Sequence, residues 1–311
     1  MTSTMDAVLG IDGGGTRTRA ALLGPNRELL GEGEGGPSNI DDVGEAAARD
    51  NIAAAVDAAR DRAGLARGPF AAAFLGMAGV TSDHDRAVIR RIALTLSLAP
   101  ETRIGVDHDC RIALAGGLSG RPGIVLITGT GSSCYGRTTD GAHWLAGGRG
   151  HLVSDEGSGY WYGLQAIRAA VRHFDGRGPR TVLHDQVVDA LAITDINGLM
   201  HRLYVIGVSR AEIASLAPLV IAAAEAGDAA ARALFQIGAR DLAECVEAVA
   251  HRLGFDQGEF GLALTGGLSQ AEVARAPLVA ALAERLPGCR PTLAEQPPVI
   301  GAALLAQALA G

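Results

Sequence analysis

The fold of this 311-residue chain is decided by the stretch Ala7–Leu23, AVLGIDGGGTRTRAALL. An apolar run ends at Asp12, three glycines follow, and a second apolar run begins after Thr18. This pattern predicts two strands joined by a tight turn. A turn without Cβ atoms can adopt positive φ and bring its N–H groups close to an anion. The stretch alone equally fits a glycine hairpin that carries a surface acid.

The same pattern returns at Gly123–Ser133, where Ile124–Ile127 precedes a turn of glycine, threonine and serine. Two hairpins in equivalent contexts predict a duplicated architecture in which each half offers one loop able to hold phosphate. A third glycine-rich strand end, Thr265–Ser269, follows the apolar run Phe260–Leu264 and is predicted to open a helix. Backbone N–H groups at such a helix start face outward.

Composition indicates a soluble globular protein long enough for two domains. Hydrophobic residues make up 48% and charged residues 20%, with a net charge of −7 and no basic block, which argues against nucleic acid as a partner. All 27 positive side chains are arginine, so a Walker-type site with its lysine is excluded. The cysteines at 110, 134, 245 and 289 lack CxxC spacing, which gives zinc and iron–sulfur ligation little support.

Apolar runs in the chain are too short to cross a membrane. Leu216–Ala224 is among the longest and is closed by Glu225. The N-terminus lacks a charged region followed by an apolar core, so we expect no signal peptide and a cytoplasmic location.

Periodicity along the chain predicts alternating strands and helices, followed by a mostly helical segment. The further predicted strands are 28–33, 70–75 and 102–106, and the predicted helices are 43–63, 83–96, 111–117, 161–174, 181–191, 210–226, 229–253 and 277–286. Residues 291–298 are expected to form a proline-rich connector, and 300–310 a terminal helix that docks on an existing core.

Polar residues cluster at predicted strand ends and loops. Asp107-His108-Asp109 follows a strand, where open α/β sheets place their chemistry, although one acid can instead cap the next helix. Asn39 is a turn former more readily than a substrate ligand. The loop Gly147–Trp161 resembles a binding loop, yet its His151 is more often structural, and its acids are close enough to a helix start to act as caps.

Together these motifs resemble the sugar-kinase, Hsp70 and actin superfamily of ATP-binding folds. Within it they are most similar to N-acetylglucosamine kinases and the BadF/BadG/BcrA/BcrD ATPase family. The matching segments are 10–18, 76–79, 107–117, 124–133, 147–161 and 265–269, in the family's order. The resemblance implies an α/β protein of two actin-like (ribonuclease H-like) domains, with mixed sheets flanked by helices and an ATP cleft between them. It implies an N-terminal domain of residues 1–118 plus 297–311 and a C-terminal domain of residues 119–296.

The resemblance also implies where ATP and Mg²⁺ bind. Asp12 would position the magnesium ion, and the two hairpins and the third glycine-rich strand end would contact the nucleotide. The implied ligands of the phosphates and the adenosine are Gly13, Gly14, Gly15, Thr16, Thr18, Gly129, Thr130, Gly131, Ser132, Gly266, Gly267 and Leu268.

For the reaction, the resemblance assigns Asp109 as the base that accepts the proton of the sugar hydroxyl, with Asp107 as the second candidate. Asp155 would contact sugar hydroxyls, and further substrate contacts would come from Asn39, Ala78, Gly79, Asp109, Thr130, Gly148, Arg149 and Gly150. The chain departs from the family pattern at His108, Cys110, Arg111, Met77-Ala78 and Arg149.

The leading hypothesis is an ATP-dependent kinase that phosphorylates the 6-hydroxyl of an amino sugar, N-acetylglucosamine first and glucosamine second. The alternatives are a BadF-type ATPase that activates a reductive iron–sulfur partner and a sugar or nucleotide sensor without turnover. Family members are often dimers, so a homodimer is one further expectation. Nucleic acid and membrane are not expected partners.

Overall fold

The computed structural model describes residues 4–311 and divides into two compact units. The first unit runs to Pro122 and resumes at Ala294–Gly311, and the second unit is Gly123–Leu293. The domain limits predicted from the sequence, 1–118 with 297–311 and 119–296, differ from these by a few residues and stay a prediction.

Strands and helices alternate through the first unit, and helices dominate the middle of the second. The strands are β1 Val8–Gly13, β2 Thr18–Leu23, β3 Leu29–Gly35, β4 Ala72–Met77, β5 Ile104–His108, β6 Gly123–Thr128, β7 Ser132–Arg137, β8 His143–Gly147, β9 Phe260–Thr265 and β10 Cys289–Leu293. The helices are α1 Ile40–Ala63, α2 Asp83–Thr95, α3 Asp109–Gly117, α4 Gly159–Phe174, α5 Leu183–Ala190, α6 Leu199–His201, α7 Arg210–Ala214, α8 Ala217–Glu225, α9 Ala229–Leu253, α10 Gly267–Gln270, α11 Glu272–Arg285 and α12 Pro298–Ala310.

The first unit is built on a five-stranded sheet with the order β3-β2-β1-β4-β5. β1 and β2 form the predicted antiparallel hairpin, whereas β1, β4 and β5 run parallel. The parallel register aligns Asp12 of β1 with Gly76 of β4 and Asp107 of β5. Three strand ends carrying polar or small residues therefore meet at one edge of the sheet.

The terminal helix α12 packs directly on this sheet, as predicted. A Cβ atom at Gly10 would collide with the backbone of Ala303, and one at Gly301 would collide with the carbonyl oxygen of Ile112. Ala302, Ala303 and Ala306 are fully buried in the resulting cluster. Glycine and alanine on both sides let the helix backbone approach the strand closely.

The second unit repeats the arrangement with the sheet order β10-β9-β6-β7-β8. β6 and β7 form the second antiparallel hairpin, and β6, β9 and β10 are parallel. One core cluster packs Leu126 and Leu264 against α9 and α11. A second cluster lies around Tyr162 and Phe235, whose ring centroids are 4.5 Å apart.

The predicted α/β class, with two mixed sheets flanked by helices, is confirmed. Two local predictions were wrong, and one strand was missed. The connector at 291–298 contains edge strand β10, where Pro291 is tolerated because an edge strand leaves one row of N–H groups unpaired. The helix predicted at 210–226 is two helices, because Pro218 lies in the first turn of α8, where it lacks the N–H that a continuing helix would need. The exposed strand β8 was not predicted.

Within residues 4–311, no single helix has both the length and the apolar composition needed to cross a membrane. The segments Arg210–Glu225 and Ala229–Leu253 reach that combination only as a pair bent by 116°.

Candidate active site

The tip of the first hairpin is anchored to the start of α1. The N–H of Gly14 donates to the carbonyl of Arg17 at 3.0 Å and closes the turn. The carbonyl of Gly14 accepts from Ser38 N at 3.0 Å and Asn39 N at 3.3 Å. Gly15 and Thr16 remain exposed. These bonds anchor the tip to the start of α1, and they leave its outer backbone and the Thr16 hydroxyl accessible to a ligand.

The glycines of this turn serve close packing. Gly13, Gly14 and Gly15 all keep negative φ, so the freedom of glycine to adopt positive φ is not used in this turn. A Cβ at Gly13 would clash with the thioether of Met77 and lie 2.5 Å from Ser38 Oγ. Gly13 is therefore required because β4 and the start of α1 crowd the hairpin.

The two threonines of the hairpin have different roles. The Thr18 side chain is fully buried, and its hydroxyl donates to Gly36 O at 2.7 Å and lies 2.7 Å from Ser38 Oγ. These contacts fasten β2 to the segment before α1. The burial of Thr18 does not support the predicted contact with phosphate, whereas Thr16 is placed for it.

Acidic side chains gather at the edge formed by β1, β4 and β5. Asp12 is half-buried, and burial together with the negative charge of Asp109 raises its pKa to about 6, against the opposing effect of Arg19 and Arg17. Two carboxylates that repel each other at a strand edge fit a divalent cation, because Mg²⁺ prefers hard oxygen ligands. Asp12 is the residue that would hold it.

Asp107 and Asp109 differ in their partners. Asp107 accepts from His108 N at 2.9 Å and pairs with Arg86 at 3.4 Å and Arg111 at 3.8 Å. Asp109 is the first residue of α3, where the helix dipole favours a carboxylate, and it accepts a weak bond from Cys110 Sγ at 3.4 Å. Two arginines therefore engage the Asp107 carboxylate, which favours Asp109 over Asp107 for the predicted role of base.

Three predicted substrate residues meet beside the first hairpin. Asn39 is the N-cap of α1, and its side chain accepts from Asp41 N at 3.2 Å. Gly79 has φ +84°, and a Cβ there would lie 2.5 Å from Asn39 Oδ1. Ala78 N donates to Gly13 O at 2.8 Å. Helix capping explains Asn39 locally, and the same position sets it at the edge that carries Asp12.

The second hairpin repeats the construction of the first within its own unit. Gly129 N donates to Gly131 O at 2.9 Å, and the carbonyls of Gly129 and Thr130 accept from Gly159 N at 2.8 Å and Tyr160 N at 3.1 Å. Thr130 is exposed, whereas Ser132 is buried and donates to Glu156 O at 2.7 Å. This tip is anchored to the start of α4.

Asp155, predicted to contact sugar hydroxyls, is paired with an arginine in this structure. Its side chain is 2% exposed and pairs with Arg210 at 2.8 Å, and its Oδ1 accepts from Ser132 N at 3.4 Å. Its φ is +69°, a conformation that aspartate tolerates better than most residues. In this conformation Asp155 anchors the hairpin. Arg210, 55 positions away along the chain, had no sequence signal.

The remaining predicted ligands lie on the second unit. Gly266 has φ +101° and packs on the backbone of Thr128, and Gly267 is exposed at the start of α10. Leu268 is buried among core residues, so only its backbone can border a nucleotide. Gly148 and Arg149 are exposed, and Gly150 is partly exposed, in the turn that follows β8.

Residues 9–306 match the BadF/BadG/BcrA/BcrD ATPase family. The chain belongs to this family. It is 35% identical to an N-acetylmuramic acid/N-acetylglucosamine kinase of Clostridium acetobutylicum, over 85% of this chain and 86% of the relative. It is 29% identical to an N-acetyl-D-glucosamine kinase of Dictyostelium discoideum, over 96% of this chain and 97% of the relative. A crystal structure from Chromobacterium violaceum, described as a candidate N-acetylglucosamine kinase, has a TM-score of 0.75 at 32% identity and covers 98% of this chain and 99% of its own.

The cysteines bear on the alternative of an iron–sulfur activator. They lie on four different elements, and burial raises the pKa of Cys245 to about 11 and that of Cys289 to about 12. Clusters are held by thiolates, which such burial disfavours. The placement of these thiols gives that alternative no support.

Proposed function

We propose that the protein is an ATP-dependent kinase that phosphorylates the 6-hydroxyl of N-acetylglucosamine or glucosamine. The observation that carries this proposal is the pair of similarly anchored hairpins, one in each unit, with Asp12 and Asp109 beside the first. The relatives described above are named as kinases that act on amino sugars. Phosphoryl transfer needs phosphate positioning, charge neutralisation and an oriented nucleophile, and this arrangement offers residues for each.

In this proposal each of these residues of the first unit has a separate role in the reaction. Asp109 accepts the proton of the sugar hydroxyl, which requires positioning more than strong basicity. Gly15 N–H and the Thr16 hydroxyl contact phosphate oxygens. Asp12 would hold Mg²⁺, which neutralises phosphate charge when bound.

The second unit contributes nucleotide contacts through Thr130 and the exposed backbone at Gly267. Asn39, Ala78 and Gly79 are the proposed sugar contacts on the first unit, and Gly148, Arg149 and Gly150 those on the second. Asp155 supports these contacts indirectly, because it holds the second hairpin through Ser132 N.

The test is a coupled ADP-release assay with Mg²⁺-ATP. The acceptors are N-acetylglucosamine, glucosamine, glucose, N-acetylmannosamine and N-acetylmuramic acid, with a sugar-free blank. We expect strong stimulation by N-acetylglucosamine or glucosamine that is lost in Asp109→Asn. ADP release that is independent of every sugar, or no release at all from folded protein, would overturn the proposal.

A further inference from the structure

A pocket lies in the first unit, near the end of α1 that is farther from the first hairpin. It has a volume of about 300 Å³, at the lower end of the range for small-molecule sites. α1 begins beside the hairpin, and Arg60 lies in its last turn, on the order of 25 Å further along the helix. The pocket is therefore separate from the candidate active site.

Arg60 is the unusual residue of this pocket. It is 8% exposed, its Nη2 donates to Gly68 O at 2.6 Å, and its guanidinium lies 4.4 Å from the centre of the Phe70 ring. Its Nε is fully buried and has no hydrogen-bond acceptor among residues 4–311. Buried donors are rarely left unpaired, because the lost hydration is not replaced. The bond to Gly68 pairs Nη2, and Nε is enclosed by protein, so an anion in the pocket would contact the guanidinium at its remaining nitrogen, Nη1.

The other lining residues define what fits beside Arg60. Asp57 and Arg67 also line the pocket, 3.7 Å apart and both exposed, and the charges of both act on Arg60. One carboxylate and two guanidinium groups give the lining a net positive charge. Val56 and Leu98, both buried, supply apolar walls. A guanidinium matches the two oxygens of a carboxylate or phosphate better than any other side chain does.

We propose that this pocket binds a small organic carboxylate, with its oxygens on Arg60 and its apolar body against Val56 and Leu98. A flat guanidinium stacked on Phe70 holds its orientation, so it is preorganised for such an anion. This site is independent of the proposed kinase activity, and its test does not rely on turnover.

The test observes the Arg60 Nε–H signal directly by ¹H–¹⁵N NMR while benzoate is titrated into the full-length protein. Arg60→Lys assigns the signal. We expect a saturable shift with benzoate and none with benzyl alcohol, which has the same ring without the charge. An Arg60 signal that does not respond to benzoate would overturn the proposal. So would a stronger response to inorganic phosphate than to benzoate, because the apolar walls would then have no role.

Two variants keep the test valid if Arg60→Lys fails to fold. Ala53→Leu fills the pocket from its lining while leaving Arg60 and its bond to Gly68 in place. We expect it to weaken benzoate binding by about tenfold, through steric exclusion of a preformed site. Glu45→Gln, on the same helix outside the pocket, is the matched control and should leave binding unchanged. Equal benzoate affinity in Ala53→Leu and wild type would contradict the proposed location.

Discussion

The two hairpins are built alike but differ in the acid beside them. Each has an exposed threonine at its tip, Thr16 or Thr130, and a buried hydroxyl two residues later, Thr18 or Ser132, that bonds to a backbone carbonyl. Each tip also accepts hydrogen bonds from the start of the following helix. The same hairpin construction thus occurs twice in the chain.

The acids beside the two hairpins differ in their surroundings. In the first unit, burial and, next, the carboxylate of Asp109 raise the pKa of Asp12 to about 6. In the second unit, Asp155 is buried against Arg210. A carboxylate whose pKa is raised by burial and by a like charge costs stability at neutral pH, whereas a buried carboxylate paired with arginine can anchor a loop. This difference supports the proposal that the first unit holds the catalytic acid, and it gives Asp155 an anchoring role in this structure.

The largest effect is expected for Asp109→Asn, the variant that removes the proposed base. Loss of a general base typically costs 10²–10⁴-fold in turnover, so we expect kcat to fall by about 10³-fold with folding intact. Asp107→Asn is the matched control, because its carboxylate is paired with arginines. Steady-state kinetics with the preferred sugar distinguish the two. A greater loss of kcat in Asp107→Asn would move the base to Asp107.

Asp12→Asn tests the cost of burying the Asp12 charge beside the carboxylate of Asp109. A folded-state pKa of about 6, raised from 3.8, means that the native protein holds this proton more tightly than the unfolded chain does. The metal-free protein therefore loses stability as pH rises from about 4 to 6, by about 3 kcal/mol for two pKa units. Asp12→Asn should remove that pH dependence and raise the free energy of unfolding at pH 7.5.

The measurement is urea unfolding at pH 4.5 and pH 7.5 in the presence of a chelator. Asp42→Asn serves as the control, because this exposed acid lies beside the same hairpin near Gly15. An Asp12→Asn variant that is less stable than wild type at pH 7.5 would contradict the predicted cost of the charged Asp12 carboxylate.

Arg210→Gln tests the ion pair between Arg210 and the buried Asp155 in the second unit. It leaves the buried Asp155 carboxylate unpaired, and we expect a loss of about 2 kcal/mol, less than for a fully buried pair because Arg210 is partly exposed. Asp155→Asn in the Arg210→Gln background should recover much of this loss, since asparagine also tolerates positive φ and needs no cation. A double-mutant cycle of unfolding free energies with no coupling would show that the ion pair does not anchor the hairpin.

The sequence predicted what short-range patterns encode. The apolar runs around Gly13–Gly15 and Gly129–Gly131 predicted both hairpins, and the strand ends at Asp12 and Asp107 predicted the polar edge. Pro291 misled the prediction of β10, because a proline excludes a central strand but permits an edge strand, and only the sheet order distinguishes the two.

Long-range contacts could not be predicted from the sequence. The partner of Asp155 is 55 residues away in a helix whose position depends on packing of the whole second unit. The Arg60 pocket likewise requires the end of α1 and the segment after α2 to meet. Neither contact produces a periodic pattern in the sequence, because each depends on one arginine among 27.

The smallest effects come from the two threonines of the first hairpin, and they separate packing from ligand binding. Thr18→Val removes a buried hydrogen bond and leaves Ser38 Oγ and Gly36 O without that partner, so we expect a loss of about 1 kcal/mol in unfolding free energy. Thr16→Val removes an exposed hydroxyl and should leave stability within about 0.5 kcal/mol of wild type while raising the KM for ATP several-fold. Thermal unfolding and ATP titrations of both variants measure this. If Thr18→Val raised the KM for ATP and left stability unchanged, the buried hydroxyl would be reaching the nucleotide in a conformation other than this one, and Thr18 would return to the phosphate site.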